Sequence, residues 1–168
     1  MELDFNLLEK EVFGLLGGSR IMVLATSSEN KVTARNMSCV IIDKKIYFQT
    51  DKTFIKHDQM LKNPNVALCS DNIQIEGTAR IRKHPFAEEN KEFIDTYKEK
   101  YRGSYDAYSH VENGVVVEIE PTFVTLWKYE DNQPLRDFLD IRQNKAHREI
   151  YAPAAPVATG DGSRFVAE

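Results

Sequence analysis

Cations are concentrated in one stretch of this sequence. Between Lys31 and Lys62 stand seven Lys and Arg residues (Lys31, Arg35, Lys44, Lys45, Lys52, Lys56, Lys62) against three Asp (Asp43, Asp51, Asp58), a local balance of +4 in a chain of formal charge -4. A cationic island in an acidic chain points to one small anion held at a defined place, whereas a nucleic acid calls for a basic face. Patterns for side-chain catalysis are missing. The chain has no GxSxG, no P-loop and no zinc-type ligand spacing, and His57, His84, His110 and His147 are scattered singly. Gly160-Asp161-Gly162 echoes a dinucleotide loop but lacks the strand and helix that would make it one. Cys39 and Cys69 form no CxxC pair and read as small buried hydrophobes.

The elements that carry the island read as a strand over 32–42, a turn at 43–45, a strand over 46–50, a Lys-bearing helical turn over 53–63 and a strand over 66–68. Ahead of them, Phe5, Leu8, Val12, Leu15 and Leu16 recur at helical spacing until Gly17-Gly18 stops them. A strand over 20–26 follows. Beyond the island, residues 73–82 alternate apolar and polar, and Gly77 in their middle marks a bend or bulge of the kind barrel closure needs. Pro85 opens a helix running to about residue 100, with Phe86, Phe93, Ile94 and Tyr97 as its apolar stripe. Asn113-Gly114 turns into a strand over 115–120, and Pro121 breaks to a last strand over 122–129. Pro134 then starts a short amphipathic helix carrying Leu135, Phe138 and Leu139, and the stretch from Ala152 is too rich in Pro, Ala and Gly to hold a core. The expected organisation is a barrel domain over 1–132 and a helix with a flexible tail over 133–168. With 168 residues and 42% hydrophobic content, one core of ordinary size is the default. No apolar run approaches the roughly 20 residues of a membrane span. The N-terminal stretch carries acid where a signal peptide needs base, so a cytoplasmic protein without membrane or nucleic-acid partners is expected.

Three pieces in fixed order carry a resemblance. They are ARNMSCV (Ala34 to Val40), IYFQT with Lys56 six places after Thr50, and NPNVAL (Asn63 to Leu68). Over roughly residues 20–129 the chain resembles the FMN-binding split barrel of the pyridoxamine 5'-phosphate oxidase-like family. The resemblance implies a mainly β fold, a six-stranded antiparallel Greek-key split barrel with flanking helices. It implies a homodimer with FMN in a groove shared by the two subunits. Arg35, with a planar fork, and Lys56, a compact charge near a helix start, become phosphate ligands. Asn36, Met37 and Ser38 would run their backbone along the flavin ring edge, and Phe48, Gln49 and Thr50 would add contacts. Trp127 is read either as a packing residue or as a ring contact across the dimer. Gln59 could help the phosphate but is expected on the helix surface.

In the true pyridoxamine phosphate oxidases, an Arg and a His six and eight places after that Trp handle the substrate. Here those places hold Gln133 and Leu135, which argues against the vitamin B6 enzyme itself. The implied activity is an FMN-dependent oxidoreductase passing electrons or hydride from a reduced nicotinamide (NADH or NADPH) or similar donor to a small molecule. No side chain is singled out as catalytic and no metal is expected. Two rivals remain: a non-catalytic flavin- or haem-binding protein on the same barrel, and an OB-like barrel stacking single-stranded nucleic acid on Tyr47, Phe48 and Phe54, against which the acidic total weighs.

Overall fold

The structure, a computed structural model, describes residues 1–152. β1 (Glu2–Leu3) leads into α1 (Phe5–Leu16). Asp4 caps that helix by accepting from the Leu7 N–H at 2.9 Å, and Gly17, at φ 67, ends it where a side chain would be strained. Two tight turns then fix β2 (Ser19–Ser28), β3 (Lys31–Ile42) and β4 (Lys45–Asp51) as a meander. Glu29-Asn30 and Asp43-Lys44 have positive φ at both central positions, the I′ geometry whose twist matches that of the flanking strands. α2 (Ile55–Lys62), β5 (Asn65–Ser70) and β6 (Ile73–Ile81) follow. A 3-10 turn (Glu88–Asn90), α3 (Lys91–Lys100) and α4 (Arg102–Tyr108) precede β7 (Gly114–Glu130), β8 (Gln133–Asp140) and β9 (Lys145–Ile150).

β2, β3 and β4 pair in chain order, β4 crosses to β7, β5 returns to β2, and β6 closes on β7. The result is the expected closed six-stranded antiparallel barrel with flanking helices. Met22, Leu24, Phe48, Leu68, Ile75 and Ile119 point inward and are all but inaccessible. Each such side chain contributes about 1.5–3 kcal/mol by leaving water, and Leu8, Val12 and Leu16 of α1 join the same core. A second cluster lies outside the barrel, where Phe93, Ile94 and Tyr97 of α3 cover Val40, Tyr47 and Val116.

Gly77 sits at a break in the β6–β7 register, facing Pro121. A Cβ there would lie 2.7 Å from Ile119 Cγ2 and 2.9 Å from the Glu120 carbonyl, so only glycine permits the close approach. The bulge also accommodates Pro121, which has no N–H to give. β7 therefore runs unbroken through Pro121 instead of stopping there.

Two other expectations are corrected. The segment after Pro134 is strand β8, with Leu135, Asp137 and Leu139 buried, and β9 and β1 extend the same sheet beyond it. No separate C-terminal helix starts at 133, and the boundary at 132 falls inside a two-residue hairpin turn, Asp131-Asn132. The expected flexible tail lies outside the described residues apart from its first position. Cys39 is buried, and burial pushes its thiol up to about 12, whereas Cys69 is exposed on β5.

Two buried carboxylates staple this framework. Glu118 of β7 accepts from Lys45 (3.2 Å), Tyr47 (3.1 Å) and Arg82 (2.8 Å), tying β4, β7 and the end of β6. Asp137 of β8 accepts from Arg148 at 2.6 and 2.8 Å and pairs with Lys128 at 2.9 Å, joining β7, β8 and β9. Among the described residues no helix is long and apolar enough to cross a membrane.

Candidate functional site

The cationic island folds into one wall of a cavity of about 460 Å³. β3 contributes Asn36, Met37 and Ser38, β4 contributes Gln49, Thr50 and Asp51, and the turn into α2 contributes Phe54 and Lys56. The opposite wall is the insertion between β6 and β7, with Pro85, Tyr97, Ser104, Tyr108 and Val111. Amide and hydroxyl groups therefore line one side, and two tyrosines with Pro85 and Val111 make up most of the other, as a planar ligand with a hydrogen-bonding edge requires.

Two buried atoms in this wall lack a partner: Gln49 Nε2 and Thr50 Oγ1. The Gln49 amide is oriented by Ser109, whose hydroxyl donates to Gln49 Oε1 at 2.8 Å, so its NH₂ is left over. An unpaired buried donor costs about 1–3 kcal/mol, a cost that a ligand acceptor would remove. Burial raises the pKa of the Tyr97 hydroxyl, with Ser104, Ser38 and Gln49 opposing, so it stays a donor at neutral pH.

Lys56 sits in the first turn of α2, 4.4 Å from the Phe54 ring centroid. Burial lowers its pKa, and the nearby charge of Arg35 lowers it further, against a weaker pull from Asp51. Arg35 is half-buried, its own pKa lowered by burial. Its guanidinium donates to Thr26 Oγ1 at 2.7 Å, to Thr33 Oγ1, and to the Leu24 carbonyl at 3.4 Å. Among the described residues no carboxylate comes within salt-bridge distance of either cation. Asp51, the nearest acid, is occupied by the Thr53 N–H at 2.8 Å and the Thr53 hydroxyl at 2.7 Å. No side chain caps α2 either, so its first N–H groups face the same region. Two adjacent cations without a counter-charge beside an uncapped helix start have the chemistry that a multivalent anion such as a phosphate would require.

Of the nine site residues expected from the sequence, the cavity brings together Asn36, Met37, Ser38, Gln49, Thr50 and Lys56, with Arg35 beside Lys56. Phe48 and Trp127 stand elsewhere. Phe48 alternates inward on β4 and lies in the barrel core, while Trp127, on the outer face of the β7–β8 ribbon, packs against Tyr129 and Tyr151 at ring distances of 6.2 and 5.6 Å. Gln59 is the reverse case: expected on the surface, it is 2% exposed and hydrogen-bonded on every side. Sequence reasoning also missed Tyr97, Ser104, Tyr108 and Ser109. The one available signal was the run of aromatics with polar tips over residues 97–109, more polar than a purely covering helix needs.

The residues fit FMN. Arg35 and Lys56 suit its phosphate, and Gln49 Nε2, Thr50 Oγ1 and the β3 backbone suit the heteroatom edge of its ring. The apolar wall of Tyr97, Tyr108 and Val111 suits the ring face. No histidine or cysteine is among the described residues lining the cavity.

Comparison with known proteins places the fold. General Stress Protein 26 from Bacillus anthracis str. Sterne is 22% identical, superposes at a TM-score of 0.59 and covers 80% of this chain and 98% of its own. A pyridoxamine 5'-phosphate oxidase-related, FMN binding protein from Nostoc punctiforme PCC 73102 is 16% identical, with TM-score 0.55 and 88% and 95% coverage. HutZ, the heme storage protein from Vibrio cholerae, is 14% identical, with TM-score 0.57 and 68% and 89% coverage. At such identities the likeness concerns the fold alone. No curated protein matches the chain. The family model described as pyridoxamine 5'-phosphate oxidase matches residues 8–128, from α1 through most of β7. With the greater part of its length accounted for in this way, the chain belongs to the pyridoxamine 5'-phosphate oxidase family.

Proposed function

We propose that the chain binds FMN in this cavity and acts as an FMN-dependent oxidoreductase, passing electrons or hydride from NADH, NADPH or a similar donor to a small molecule. The observation that carries the reading is the pair of unpartnered buried donors, Gln49 Nε2 and Thr50 Oγ1, in a cavity bordered by the unneutralised Arg35–Lys56 pair. Bound FMN supplies a carrier that accepts a hydride and releases two electrons to an acceptor. The chain's own residues bind and orient it. Arg35 and Lys56 hold the phosphate, Gln49 and Thr50 donate to the ring edge, and Tyr97, Tyr108 and Val111 keep water from one face. The haem storage protein among the structural neighbours raises a haem-binding alternative, but the buried amide and hydroxyl donors of Gln49 and Thr50, which suit the heteroatom edge of a flavin ring, favour flavin.

A homodimer belongs to the same reading. Ile21 and Val23 of β2 are 50% and 40% exposed on the barrel's outer face, with Ala34 of β3 and Ala67 and Cys69 of β5 beside them. Apolar exposure on a sheet face is what a twofold partner would cover. Sedimentation should give a dimer, and a flavin-loaded monomer would contradict it. Cytoplasmic residence is part of the proposal, as the compartment in which a reduced nicotinamide donor is plentiful.

The test uses the purified full chain loaded with FMN under anaerobic conditions. Addition of NADH or NADPH should bleach the flavin absorption, and air or an acceptor should restore it repeatedly. Binding without bleaching would make the protein a non-catalytic flavin holder, and no binding would overturn the reading altogether.

A further inference from the structure

Gln59 occupies a position from which it governs both cations of the anion site. It lies on α2 one turn beyond Lys56 and is 2% exposed. Its Nε2 donates to the Lys31 carbonyl at 2.9 Å. That carbonyl can only accept, which fixes the amide so that Oε1 points the other way, at two hydroxyls. Thr26 donates to Oε1 at 2.7 Å and Thr33 donates to it at 2.6 Å. A threonine hydroxyl has a single proton, so each has spent its donor on Gln59 and turns only lone pairs to other neighbours. Both lone-pair sets are taken by Arg35, through Nη1 to Thr26 at 2.7 Å and through Nη2 to Thr33.

From this geometry we infer that Gln59 is a positioning residue of the phosphate site. By setting the proton direction of Thr26 and Thr33, it makes them two neutral acceptors that fix the plane of the Arg35 guanidinium without neutralising it. The same side chain fastens α2, and with it Lys56, to β2 and β3. A carboxylate at this place would accept the same two hydroxyls but would put a negative charge beside Arg35 and lose the donor to Lys31. Only an amide combines two-sided hydrogen bonding with zero charge here. The inference rests on the proposed binding of FMN phosphate by Arg35 and Lys56.

Affinities of the full chain for FMN and for riboflavin, which lacks the phosphate, separate the possibilities. They are read by flavin fluorescence quenching for the parent, Gln59→Glu, Gln59→Met and Thr33→Val, with circular dichroism as a check of folding. The parent should prefer FMN. Gln59→Glu, nearly isosteric, should lower FMN affinity by about tenfold or more and leave riboflavin within about twofold, because a new charge neutralises Arg35. Gln59→Met and Thr33→Val should do the same to a smaller extent, because Arg35 loses acceptors. A folded Gln59→Glu protein with the parent's FMN-to-riboflavin ratio, or variants losing both flavins equally, would reduce Gln59 to a structural residue and overturn the inference alone. A parent that does not prefer FMN would instead overturn the phosphate site itself, and the inference with it.

Discussion

Replacing Lys56 by Ala isolates the anion site from the rest of the protein. The side chain is half-buried on the first turn of α2 and makes no salt bridge among the described residues. Its one marked contact is with the Phe54 ring, worth about 0.5–1 kcal/mol at an exposed site. Against that loss, truncation removes a cation whose pKa burial and Arg35 both push down, so the charge is held at some cost in the ligand-free protein. The two effects oppose, and the melting temperature should move by no more than about 2–4 °C in either direction. The ligand, in contrast, loses a charge-assisted partner worth about 1.5–3 kcal/mol, which is about 10- to 150-fold in affinity. FMN binding should fall by that factor while riboflavin binding stays level, both read by fluorescence quenching. A dianionic phosphate also restores the lowered pKa of Lys56, so FMN binding should weaken as pH rises toward that pKa in the parent and lose this dependence in the variant. If the folded variant binds FMN as tightly as the parent, Lys56 is an ordinary helix lysine and the assignment of the cavity's charged end is wrong.

Three further outcomes are expected. Pyridoxamine phosphate should not be oxidised at ordinary enzyme rates, because Leu135 is 3% exposed in the core and the Gln133 amide is engaged by the Tyr151 carbonyl at 2.9 Å; steady formation of the aldehyde would contradict this. Burial raises the carboxyl pKa of Glu118 and Asp137, but hydrogen bonds and charges from Lys45, Tyr47 and Arg80 in one case and Arg148 and Lys128 in the other outweigh it and leave both lowered. Their contribution is therefore present above the unfolded carboxyl pKa, about 4, and is lost as pH falls through the lower folded values. Melts from pH 7 to 3 should show that decline, and Asp137→Asn should flatten it while costing about 3 kcal/mol or more at pH 7; an unaltered acid profile would count against the buried staple. Gly77→Ala should destabilise the barrel by about 1–3 kcal/mol, measured by urea titration, because the Ile119 methyl and the Glu120 carbonyl must move aside; an unchanged midpoint would mean the bulge relaxes freely.

The legible parts of the fold were those where local chemistry and burial agree. α1 with its Gly17 stop, the turn at residues 43–44 and the alternation of β6 all announce themselves in the sequence. Two of the misreadings share one cause, a polar residue at a buried position. Leu135, Phe138 and Leu139 fit helical spacing, and the alternation Leu135, Asp137, Leu139 was hidden because its middle member is a carboxylate, buried only by virtue of Lys128 and Arg148. Gln59 was assigned to solvent for the same reason, since its partners Thr26 and Thr33 lie 33 and 26 residues away. The cationic end of the cavity was legible from charge and spacing. The opposite wall, with Tyr97 and Tyr108, was not, because the insertion over 82–113 reaches the cavity only through the closure of β7.

That closure has a kinetic consequence. The meander of β2, β3 and β4 joins residues close in sequence and can form early, as can the β5–β6 hairpin. β7 pairs with β4 across more than sixty intervening residues, with Ile46 opposite Ile119, and also seals β6. Contacts of such long range impose the largest loop-closure cost and belong late in folding. Gly114, the first residue of β7, lines the cavity, so the proposed flavin pocket does not exist until the seam has closed. Cofactor capture would then follow folding and pull the equilibrium by mass action, without acting as a template. FMN added during refolding should slow unfolding and raise the melting temperature while leaving the refolding rate constant unchanged, and a refolding rate that climbs with FMN concentration would reverse that order of events.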